Sequence, residues 1–183
     1  MTRLASYDDR APFAARGTLR EFAEIAAAVA GTGVTLERWH AGAPFAGEAG
    51  DADILAAYEG DITRLNACGG YQSCDVIRLT PAHPDRAALR QKFLAEHVHD
   101  DDEVRFFVEG AGLFYIRHGG AVHALECTAG DLIVLPAGTR HWFDTGEYPH
   151  FTAIRLFTTP EGWVARYTGE TIAEAIPLYE GAL

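Results

Sequence analysis

Two histidines one residue apart, His97 and His99, followed after an acidic turn by Glu103, form the most chemically pointed stretch of this chain. In an extended segment alternate side chains share a face, so the two imidazoles project together. Glu103 opens the next strand, with Arg105 and Phe107 on its face. A second cluster runs from Gly130-Asp131, at the start of a strand, through a turn at Pro136 and Gly138 to His141. If that strand lies opposite the first pair, His141 completes a set of three neutral imidazoles and one carboxylate. Such donors suit zinc, copper, iron or nickel and disfavour all-thiolate sites. Four protein ligands on a six-coordinate ion leave neighbouring positions open for a bidentate oxygen chelate. The residual positive charge would attract an anionic substrate and acidify it.

The remaining histidines, His40, His83, His118, His123 and His150, stand singly and read as surface or satisfied core residues. Asp100, Asp101 and Asp102 read as a solvated turn rather than ligands. Arg155 is the next anomaly, because the strand around it, Phe151–Phe157, is apolar on both sides. A buried arginine needs a partner. That partner is either a core carboxylate such as Glu103 or Asp131, or an anionic ligand for which Arg155 and Arg105 form a positive wall. Phe93, Phe107, Phe143 and Trp163 are core by default, though some of them must line any cavity for an apolar substrate tail.

The elements that position these groups change character along the chain. From Phe93 onward short β-type runs succeed one another: EVRFFVEG, GLFYIRH, AVHALEC, DLIVLP, RHWFDT and HFTAIRLFT. Gly110, Gly119-Gly120, Gly130-Asp131 and Pro136-Ala137-Gly138 punctuate them. Many short strands at even spacing predict a barrel or sandwich. The N-terminal half is mixed. Thr18 and Glu21 suggest a capping box for a helix running to Gly31, and VTLERWH (34–40) alternates like a strand. Asp51 is positioned to cap a second helix closed by Gly69-Gly70, CDVIRLT (74–80) reads as a strand, and Pro84 opens a short helix.

Composition bounds the rest. At 183 residues the expected organisation is one domain over 1–183, with a helix/strand elaboration in 1–92, the barrel in 93–169 and a tail in 170–183. A net charge of −11 opposes phosphate backbones and anionic lipid, so neither a nucleic-acid nor a membrane partner is expected, and it favours a monomer. No apolar run approaches the roughly 18–20 residues that span a bilayer, and the start lacks a signal-peptide pattern. Cys68, Cys74 and Cys127 are scattered and odd in number, which argues against a disulfide framework. A cytoplasmic location is the expectation. Lysine occurs once, as Lys92, against fourteen arginines. Genome composition accounts for most of that skew, and guanidinium forks holding an anion are the minority reading.

His97-x-His99-x-x-x-Glu103 with Gly110, then Gly130-Asp131, Pro136, Gly138 and His141, resembles the two-motif signature of the cupins. Thr145 stands where that second motif usually ends in a non-ligating Asn. The surrounding words KFLAEHVHDDDEVRFFVEGAGLF, DLIVLPAGTRHWFD and FTAIRLFTTPEGWVARYTG, with ERW (37–39) and GYQS (70–73), are similar to the acireductone dioxygenase family over nearly the whole chain. The resemblance implies a mainly β fold with N-terminal helices, a cupin-type double-stranded β-helix (jelly-roll) barrel. It implies one Fe(2+) or Ni(2+) per chain on His97, His99, Glu103 and His141. Arg105 and Arg155 match pocket arginines, with Arg105 and Glu103 in the chemistry, and Phe93 and Phe143 match pocket aromatics. The implied substrates are O2 and the acireductone 1,2-dihydroxy-3-keto-5-methylthiopentene of methionine salvage. The iron form would yield formate and 4-methylthio-2-oxobutanoate, and the nickel form methylthiopropionate, formate and carbon monoxide. Another metal-dependent cupin oxidase or isomerase would share the four ligands without those words. A non-catalytic ligand-binding cupin would not need the complete set.

Overall fold

The computed structural model describes residues 1–12, 14–42, 49–159 and 164–181. Its organising element is a 16-residue strand, β6 (Glu103–His118), numbered in chain order like the elements below. The sequence suggests two strands there; the chain forms one, bent at Gly110. Valine, isoleucine and aromatic residues crowd both of its faces, as a strand buried on two sides requires. The first half of β6 lies between β8 (Asp131–Leu135) and β10 (His150–Phe157), whose outer neighbours are β3 (Thr35–Arg38) and β4 (Ser73–Leu79). The second half lies between β7 (Ala121–Thr128) and β9 (His141–Asp144). Beyond β7 come β1 (Arg3–Asp8) and β2 (Ala15–Leu19); beyond β9 come β5 (His97–Val98) and β11 (Arg166–Tyr167). All pairings are antiparallel. The result is a mainly β jelly-roll of cupin type.

The bend at Gly110 decides which side chains face inward. Thr152 opposes Glu109 while Ala153 opposes Phe107, so Val108 is an extra residue on β6. Before it, Phe107 packs into the core and Val104, Phe106 and Val108 pack outward. After it, Phe114 and Ile116 face the core and Leu113 and Tyr115 face out. Gly110 has φ +68°, and a Cβ there would fall 1.8 Å from the His150 carbonyl oxygen. Only glycine permits that corner.

Helices cover the outer faces. α2 (Asp51–Ala57) and α3 (Glu59–Gly69) carry Ile54 and Tyr58 onto Val104, Phe106, Leu132, Ile154 and Leu156. The C-terminal segment with α5 (Ile172–Ala175) lays Ala173, Ile176 and Tyr179 on Tyr115 and Trp142. Between the sheets Phe107, Phe114, Phe143 and Phe151 interlock with Ile133, Leu125 and Leu135. Each fully buried side chain of this size contributes about 1.5–3 kcal/mol. α4 (Arg86–Leu94) follows Pro84 as expected and leads directly into β5.

Two local expectations are corrected. Thr18 does not cap a helix: it pairs with Ala5 in β2, and α1 (Phe22–Ala30) begins after Glu21. The sheet edge offered by β1 outweighs a local capping preference. The single helix expected from Asp51 breaks at Tyr58, and Asp53 rather than Asp51 accepts from the Gly50 N–H at 3.0 Å. Tyr58 is buried against Phe106, and that anchor sets the break. Gly70, in left-handed conformation at φ 66°, closes α3 as expected. Among the described residues no helix is long and apolar enough to cross a membrane.

Candidate metal centre

β5 pairs with β9 so that His97 lies directly across from His141. The two motifs are therefore neighbours in one sheet, not on opposite walls. A backbone bond reinforces the junction: the Gly138 N–H donates to the His99 carbonyl at 2.9 Å. Asp102 is not merely solvated, since its carboxylate accepts from the Ala137 N–H at 2.9 Å and holds the same turn. Asp100 pairs with Arg166 on β11. Neither enters the cluster.

His97, His99, Glu103 and His141 are all buried and each presents one donor atom within 4.8 Å of the others. Every ring is oriented by a backbone carbonyl at its Nδ1. For His97 it is Ala95 at 2.7 Å, for His99 Val164 at 3.1 Å, and for His141 Thr139 at 2.8 Å. An Nδ1–H donated to a carbonyl leaves Nε2 as the bare lone pair of a neutral imidazole. Glu103 Oε2 then lies 3.0 Å from His141 Nε2 and 3.2 Å from His99 Nε2. Acceptors that close need a proton or a metal cation between them, and the convergence of three imidazoles on one carboxylate favours the metal. The donor set therefore fits a divalent metal, and imidazole with one carboxylate suits iron, nickel, zinc or copper.

The electrostatics agree. Burial, and then the neighbouring His141, push the His97 imidazole down to about 4, so it is neutral at neutral pH as a ligand must be. At His99 burial works against charge, but the Glu103 carboxylate outweighs it and raises the pKa. What draws a proton there draws a metal cation too. Burial alone would raise Glu103; the Arg105 guanidinium and the two imidazoles overcome it and hold the carboxyl well below its ordinary range. Arg105 Nη2 donates to Glu103 Oε1 at 2.8 Å, leaving Oε2 to face the imidazoles. The guanidinium carbon sits 4.5 Å from the Phe143 ring centroid and 5.0 Å from that of Phe114.

These groups line one cavity of about 150 Å³. His97, His99, Glu103, Arg105, His141, Phe93, Phe143 and Arg155, all singled out in the sequence, meet there. Phe93 and Phe143 meet near edge to face, centroids 6.4 Å apart. Arg155 pairs with neither Glu103 nor Asp131. Its carboxylate is Asp75 on β4, with Nε and Nη2 donating at 2.8 and 2.6 Å. Asp131 instead forms an ion pair with Arg38 and accepts from the Thr2 hydroxyl. Lys92, Ala165 and Tyr167 also line the cavity and were missed. The solitary lysine beside Phe93 was the available signal; β11 is too short to announce itself. Trp163, with the rest of 160–163, lies outside the described residues.

Comparison with known proteins converges on one group. Residues 4–165 match the family described as ARD/ARD'. An acireductone dioxygenase of Parvibaculum lavamentivorans is 55% identical over 180 residues, 98% of each chain. One from Aquifex aeolicus is 55% identical over 157 residues, 86% of each chain. The solved acireductone dioxygenase from Bacillus anthracis, with a cadmium ion in its active centre, superposes with a TM-score of 0.78 at 31% identity. That match covers 91% of this chain and 98% of that one. Sequence, fold and the clustered donors together show that the chain belongs to the ARD/ARD' family, the acireductone dioxygenases.

Proposed function

We propose that this protein oxidises the acireductone of methionine salvage with O2, using one Fe(2+) or Ni(2+) held by His97, His99, Glu103 and His141, and that the iron and nickel forms give the two product sets named above. The observation that carries the reading is the meeting of three Nε2 lone pairs and a carboxylate in a cavity that also receives two guanidinium groups. When bound, the metal ion supplies a dipositive charge that draws the enediol oxygens and acidifies them, and couples the electron-rich substrate to dioxygen.

The chain's own residues do the rest. Arg105, buried beside Glu103, is a fixed positive charge that needs no reorganisation when negative charge develops on the substrate oxygens. Arg155 adds a second, more exposed charge on the same wall. Phe93 and Phe143 give an apolar surface for the thioether tail and exclude water, which strengthens both electrostatic contacts.

The test is to strip the metal, reconstitute separately with iron and with nickel, and follow freshly generated acireductone. Oxygen uptake by both forms is expected, with headspace carbon monoxide only from the nickel form. Failure of both forms to consume oxygen at full metal occupancy would refute the reading.

A further inference from the structure

Three strands carry a row of charged side chains across the wall of the cavity. In register, Arg105 on β6 lies opposite Arg155 on β10, which lies opposite Asp75 on β4. Like charges directly opposite each other on antiparallel strands repel. Arg105 has little choice of place, being buried and held by Glu103 at 2.8 Å. Arg155 differs, since its side chain keeps 24% of its exposure and solvent is within reach. A long, flexible cation repelled by a fixed one tends to leave for water unless a carboxylate fixes it. Asp75 does so bidentately, matching both Nε and Nη2. The Phe157 ring, 5.4 Å from the guanidinium carbon, adds a face to rest on.

We infer that Asp75 is a positioning residue: it holds the Arg155 guanidinium at the cavity wall against repulsion from Arg105, so that an anionic substrate meets two guanidinium groups instead of one. Asp75 itself is 45% exposed and is not among the residues lining the cavity, so it acts through Arg155. The inference rests on the reading of the cavity as the acireductone site.

The experiment compares Asp75→Asn, Arg155→Ala and the double variant, each at full metal occupancy, by steady-state oxygen uptake across a range of acireductone concentrations. Asn keeps the shape and removes the charge. Asp75→Asn is expected to raise KM about fivefold, the upper range for a partly exposed ion pair, with kcat within about twofold. Adding Asp75→Asn to Arg155→Ala should change nothing further, because the two act as one unit. Asp75→Glu, which keeps the charge, should recover part of the loss. The Arg155 Nε–H resonance, sharp when the guanidinium is locked, should broaden or shift in Asp75→Asn regardless of turnover. If Arg155→Ala raises KM while Asp75→Asn leaves both KM and the resonance unchanged, the positioning role is wrong. If Asp75→Asn is equally harmful without Arg155, its role is structural and the inference also falls. If Arg155→Ala has no effect on KM, the assignment of Arg155 to the substrate site fails instead.

Discussion

Replacing Arg105 by Ala separates two jobs that the structure gives one side chain. The guanidinium is 5% exposed and donates to Glu103 at 2.8 Å. Removing one partner of such a pair strands the other charge, at a cost of about 3–5 kcal/mol. For a chain of this size each kcal/mol moves Tm by about 2–4 °C. The metal-free variant should therefore melt about 6–12 °C below the parent, taking about 3 kcal/mol as the loss. A dication beside Glu103 neutralises the same carboxylate, so the metal-loaded variant should lose distinctly less. Turnover should behave differently. A preorganised donor in a dry site accounts for a factor of about 10²–10³, and the bound metal does not replace it there. The assay is calorimetry with and without metal, metal analysis of each preparation, and oxygen uptake per bound metal. Arg105→Lys, which keeps the charge but not the fork, should fall between. Parental turnover per metal in Arg105→Ala would remove the residue from the chemistry. Equal melting losses with and without metal would refute the electrostatic account of its stability role.

His97→Ala should lose bound metal and activity together, since one of four clustered donors is gone, and metal analysis after purification checks it. Gly110→Ala should cost more than about 3 kcal/mol, combining a left-handed backbone with a clash onto the His150 carbonyl, whereas Gly138→Ala, where nothing lies within 4 Å, should cost about 1–2 kcal/mol; thermal unfolding distinguishes the two. Burial, with help from His118, lowers the pKa of His123 below 6.5, so the unfolded chain takes up a proton there first. Stability should then fall as pH drops through 6.5 towards the lowered folded value, and His123→Asn should flatten that part of the profile in pH-dependent denaturation.

The chemistry of the site was legible because it is written in residue types with strict spacing. His97 and His99 share a face by the period of a strand, and Glu103, Arg105 and Phe107 follow by the same rule. The β-rich second half was legible for a similar reason: apolar runs of strand length between glycines leave few alternatives. The start of α1 is not legible because Thr18-to-Glu21 is a local signal, and pairing of β2 with β1 overrides it.

Other features depend on residues far apart in sequence. Nothing near His141 indicates that it lies beside His97 rather than across the barrel; the β5–β9 register decides that. The partner of Arg155 is 80 residues away on β4, and a sequence offers many carboxylates equally well. Likewise the carbonyls that turn each Nε2 inward belong to backbone every residue possesses, so no side-chain pattern records them. Which groups are available and which share a strand face can be read from the residues alone, because both depend on local periodicity. Which strands become neighbours and which carboxylate meets which arginine emerge on folding, because pairing between distant segments is set by the packing of the whole core.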